Sequence, residues 1–80
     1  MGTEVLRQSF RGYDKQEVLM MIDGLNALIV MREENTISKE EALAEAEKIR
    51  SQPLKTVFSG FNKDDTEKYL SSVIEKISAI

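Results

Sequence analysis

Apolar residues recur at helical spacing from Val18 onward. Val18, Met21, Ile22, Leu25, Leu28 and Ile29 form one stripe, and Leu19, Met20, Val30 and Met31 spread it well beyond a single face. Asp14 can accept hydrogen bonds from the free N–H groups of a first turn, and Glu17 three residues later suggests a capping box. The pattern predicts a first helix over about 14–33 that needs cover on two sides. Gly24 inside it costs roughly 1 kcal/mol relative to Ala, so a close-packing point is the expected reason for it.

Ser38 and Glu41 form a second capping signature, preceded by Ile37 where a hydrophobic staple sits. The helix they start, about 38–51, has a narrow seam of Ala42, Leu43, Ala46 and Ile49 among acidic residues, which describes a lid packed on one side. Pro53 ends it. A third helix, about 62–79, starts at Asn62 with Asp64 and Asp65 in its first turn. Leu70, Val73, Ile77 and Ile80 follow in coiled-coil-like steps.

The chain also contains one unit twice. Sliding it by 48 residues lays Phe10-Arg11-Gly12-Tyr13 over Phe58-Ser59-Gly60-Phe61, Met21-Ile22 over Tyr69-Leu70, and Leu25 over Val73. Each aromatic-x-Gly-aromatic stretch reads as a turn whose glycine supplies a positive φ or a close backbone approach. The helix lengths bring the third helix back to start beside the first and run parallel to it, with both aromatic turns at one end. The expected fold is therefore all-α: a single pseudo-dimeric three-helix domain over 1–80, with repeat unit one at 5–33, a connecting helix at 36–51 and repeat unit two at 54–80.

Composition narrows the function. Cysteine and histidine are both absent, which removes disulfides, thiolate nucleophiles and imidazole chemistry. A net charge of −3 gives no general attraction to phosphate, so nucleic acid is not an expected partner. The pairs Glu33-Glu34, Glu40-Glu41 and Asp64-Asp65 are adjacent residues that do not face one another on a helix, and helix starts account for two of them. No nucleophile with a base and an orienting group is legible, so no catalytic residue, metal site, cofactor or small-molecule substrate is expected. The apolar run over 18–31 is too short to cross a bilayer, and no leader pattern opens the chain; a cytoplasmic location is expected.

Ser9-Phe10-Arg11-Gly12-Tyr13-Asp14, followed by Glu17-Val18 and Met21-Ile22, resembles the N-terminal domain of the DivIVA/GpsB family of bacterial cell-division and polarity scaffolds. The resemblance covers roughly residues 5–30, and more weakly 57–78, where Ser59 replaces the arginine. In that family the long helix pairs in parallel with its copy in a dimer, and the repeat implies that this pairing is imitated within one chain.

The resemblance implies a non-enzymatic scaffold or adaptor at the inner face of the cell membrane. Its partners would be division or cell-wall synthesis proteins, and Phe10, Arg11 and Phe58 would make weak contact with an anionic membrane surface. The alternative is a protein–protein interaction module that takes a partner peptide or helix in the groove between helices one and three, using Tyr13, Asp23, Glu17 and Phe61. Leu19 stands where the family's groove carries an acidic residue, and with Met20 it reads as an extra apolar face for the lid helix. A homodimer through Ile74, Ile77 and Ile80 is the third reading.

Overall fold

The structure is a computed structural model that describes residues 6–80; residue 5 of repeat unit one, with the other residues of 1–5, lies outside the described part. The elements run β1 (Gln8–Tyr13), α1 (Lys15–Glu33), α2 (Lys39–Arg50), β2 (Thr56–Phe61) and α3 (Lys63–Ala79). Among the described residues, no helix is long and apolar enough to cross a membrane.

The expectation of an all-α fold is overturned by β1 and β2, which pair as a two-stranded sheet. Both strands lie on the aromatic-x-Gly-aromatic stretches that read as turns. Residue numbers fall along β2 as they rise along β1, from Gln8 beside Phe61 to Tyr13 beside Thr56. Asp14 N–H donates to Lys55 O at 2.8 Å and Asn62 N–H to Arg7 O at 2.7 Å, which continues this antiparallel register past both ends. Tyr13 also lies beside Phe61, so the two segments curl over and cross a second time. Aromatic and β-branched residues such as Thr56, Val57 and Phe58 favour extended backbone. A six-residue strand whose partner starts 48 residues further along the chain leaves little period-two signal in the sequence.

The crossing explains both glycines. A Cβ on Gly12 would overlap the Phe61 carbonyl oxygen, and one on Gly60 would overlap that of Tyr13. Neither glycine has a positive φ; Arg11 carries it instead, at 67°. Of the two roles expected for these residues, close approach is the one realised.

Each helix starts at its expected cap. The Asp14 carboxylate accepts from Glu17 N–H at 3.1 Å, and the Asn62 amide oxygen accepts from Asp65 N–H at 3.0 Å. Ser38 and Glu41 form a complete capping box. The box expected at Asp14 is only half made, because the Glu17 side chain accepts from Lys55 N–H at 2.8 Å. At the far end of α1, Asn35 adopts φ 58°, and Thr36 N–H returns to Met31 O in a Schellman-type stop.

The core is the seam between α1 and α3. Val18, Ile22, Leu25 and Ile29 face Thr66, Leu70, Val73 and Ile77, all of them buried. Arg32 closes the far end by donating to Ile80 O at 2.5 Å, so the two helices begin together, end together and run parallel. Helix α2 covers one side with Ala42 and Ala46. Its Ile49 rests against Gly24, with Cδ1 3.2 Å from the point where a Cβ on that glycine would stand.

Two expectations fail on burial. Leu19 and Met20 are not under the lid; both are exposed. Ile77 is fully buried and Ile74 partly so, which removes the Ile74, Ile77 and Ile80 dimer stripe.

Candidate interaction site

The strand pair carries the molecule's most exposed aromatic residues. Phe10 is 66% exposed and Phe58 73%, yet their rings meet edge to face with centroids 4.5 Å apart. The two repeat units therefore build one shared tip. Arg11 stands beside it, exposed, and a shallow hollow is lined by Phe10, Arg11, Thr56, Val57 and Phe58. Ser59 takes the place of a second arginine, and its hydroxyl accepts from the Gln8 amide at 2.7 Å.

Below the tip the contacts come in related pairs. Lys15 sits 5.7 Å from the centre of the Phe61 ring, and Lys63, its counterpart, 5.3 Å from that of Tyr13. Glu17 accepts from Lys55 N–H, and Asp65, its counterpart, accepts from Arg7 N–H at 3.1 Å. Contacts between direct counterparts lie on the axis relating the halves: Phe10 with Phe58, Tyr13 with Phe61, and Arg32 with Ile80.

One pair is unequal. The Arg7 guanidinium also grips Asp65, Nε to Oδ2 at 2.7 Å and a terminal nitrogen to Oδ1 at 3.0 Å. These hydrogen bonds hold the Asp65 carboxyl below its ordinary value of 3.8 against the opposing effect of burial, and they raise Arg7. A carboxylate depressed in the folded state contributes stability above its unfolded pKa, and that stability is lost as pH falls through the lower folded value. We expect thermal melts between pH 7 and 2 to show an acid-side loss below about pH 4 that Arg7→Ala reduces. An unchanged acid limb in the variant would count against the pairing.

Of the four sequence-predicted partner-binding residues, three lie at the crossing and one lies apart. The Tyr13 hydroxyl donates to Glu67 Oε2 at 3.0 Å, and Arg50 of α2 pairs with the other oxygen of Glu67. Phe61 is half-buried under Lys15. Asp23 stands exposed on α1, about 13 Å along the axis from the Asp14 cap. Tyr13, Glu17 and Phe61 thus sit together at the crossing, and Asp23 does not join them. Sequence reasoning missed Arg7, Arg50 and Glu67. The 48-residue offset would have found Arg7, because it aligns Glu17 with Asp65 and Lys55 with Arg7.

No family model, curated protein or solved structure matches this chain.

Proposed function

We propose that this chain is a non-enzymatic scaffold or adaptor of DivIVA-like type, acting in bacterial cell division or polar organisation, that touches anionic membrane weakly through its tip at the inner face of the cell membrane. The observation that carries this reading is the paired exposure of Phe10 and Phe58 beside Arg11. Two adjacent exposed rings suit the boundary between head groups and acyl chains, and a guanidinium suits anionic head groups. The peptide-groove reading is less favoured, since the Tyr13 hydroxyl and one Glu17 oxygen are already engaged within the chain.

Cosedimentation with vesicles containing phosphatidylserine tests the proposal, with purely zwitterionic vesicles as control. The arginine contributes about 1 kcal/mol near such a surface, and the ring on the order of 1–2 kcal/mol. Phe10→Ala with Arg11→Ala should lower the partition coefficient by roughly thirty- to a hundredfold. Equal pelleting of the variant and the wild type would sink the membrane contact.

A further inference from the structure

The internal repeat contains its own control. Leu19, Met20, Ala27, Val30 and Met31 of α1 occupy the positions that Glu67, Lys68, Glu75, Ser78 and Ala79 hold in α3. At four of these five positions α3 carries a polar residue, Glu67 held by Tyr13 and by Arg50 of α2, so the α1 and α3 seam does not require apolar ones there. Yet Leu19 is 50% exposed, Met20 66%, Val30 49% and Met31 37%. They lie away from the α1 and α3 seam, interrupted by Asp23 and Asn26, with Met20 at the edge of a hollow it shares with Ile49, Pro53 and Leu54, and they leave that helix apolar around most of its circumference. A helix of this kind is ordinarily covered on all sides.

The surroundings narrow what covers it. The two cations on α1 are both engaged: Lys15 donates to the Gln8 side chain, and Arg32 donates to the carbonyls of Ile37 and Ile80. With Glu33 and Glu34 at its end, this face offers an anionic lipid surface nothing to bind. A highly charged partner finds only Asp23 between the apolar residues. The stripe is instead close to self-complementary end for end. If two α1 helices cross antiparallel, Leu19 and Met20 of each meet Val30 and Met31 of the other, and Asp23 falls beside Ala27. A parallel crossing would set the two Asp23 carboxylates against each other.

We propose that the outward face of α1 is a homodimer interface in which two copies pair through antiparallel α1 helices. This surface is separate from the α1 and α3 seam, where the chain already pairs with itself. The four exposed side chains offer on the order of 400 Å² per copy; with their neighbours the total is about 1,000 Å², at the low end for a specific complex. The dimer should therefore be weak, with a dissociation constant on the order of 100 μM.

Sedimentation equilibrium up to about 1 mM chain should show the dimer in the wild type. Leu19→Glu, Met20→Lys and Val30→Ser together give α1 the residues of α3, and should leave a monomer with an unchanged far-ultraviolet spectrum. A wild type that stays monomeric, or a folded variant that still dimerises, overturns the proposal. If the triple variant does not fold, cross-linking decides, since the chain has no native cysteine. A Met20→Cys chain mixed with a Val30→Cys chain should give disulfide-linked heterodimer well above either chain alone, and equal yields in all three samples reject the pairing.

Discussion

Gly12→Ala should unfold this domain or leave it with fluctuating packing. The new Cβ would overlap the Phe61 carbonyl oxygen and lie 2.7 Å from both its carbonyl carbon and that of Gly60. These are backbone atoms, so no rotamer change relieves the clash; the strands have to move apart. Parting them breaks the ladder that orders β1 and β2 and weakens the flanking bonds from Asp14 to Lys55 and from Asn62 to Arg7. The expected cost is about 4 kcal/mol or more, which is comparable to the whole stability of a domain this small. Gly60→Ala should behave alike, since its Cβ meets the Tyr13 carbonyl group in the same way. Gly24→Ala is the internal control. There the new methyl meets only the Ile49 side chain, whose Cδ1 at 3.2 Å is a far end that can turn away, and helix propensity improves by about 1 kcal/mol. Urea melts followed by circular dichroism should rank Gly24→Ala far above the other two. Comparable midpoints for all three would show that the crossing tolerates a side chain.

The contrast among these glycines also shows where the sequence is legible. The helices are readable because each start combines a cap residue with a run at helical spacing: Asp14 before Val18, Ser38 before Ala42, Asn62 before Leu70. The parallel placement of α1 and α3 follows from their lengths and from the 48-residue repeat. The strands are not readable, because their pairing is entirely non-local and Gly12 and Gly60 look like turn residues until their partners are known. The site is legible in part for a similar reason. Phe10, Arg11 and Phe58 stand out within the repeat, but only the crossing makes Phe10 and Phe58 neighbours. Asp65 reads as an ordinary first-turn carboxylate until Arg7 is seen across from it.

Burial of Leu19 and Met20 under the lid also fails, and the failure is informative. Helix α2 is a lid, but its buried side chains are the methyl groups of Ala42 and Ala46. That narrow seam, with Ile49 against Gly24, leaves Leu19 and Met20 exposed, Met20 at the edge of a hollow it shares with Ile49, Pro53 and Leu54. The apolar excess on the outward face is therefore left exposed, while the corresponding positions of α3 carry Glu67, Lys68, Glu75 and Ser78. The two repeat units differ on their surfaces and are alike in their seam.

That distinction implies where the stability resides. Leu25 of α1 and Leu70 of α3 are both fully buried in the shared seam, each from one half of the repeat. Truncating either to Ala removes its packing and leaves a cavity that the opposite helix, fixed at one end by the strand crossing and at the other by Arg32 on Ile80, cannot collapse to fill. Leu25→Ala and Leu70→Ala should each cost about 2–5 kcal/mol, a large share of the roughly 4–12 kcal/mol available to 80 residues. Because both side chains belong to one cluster, the double variant should depart from additivity, by about 0.5–3 kcal/mol. Ala46→Gly in α2 removes one methyl and some helix propensity, and should cost closer to 1 kcal/mol, to within roughly a factor of two. Chemical denaturation of the four variants measures all of these. If Ala46→Gly proved as damaging as Leu25→Ala, the lid would be part of the stabilising seam, and the pairing of the two repeat units would not be what holds the fold together.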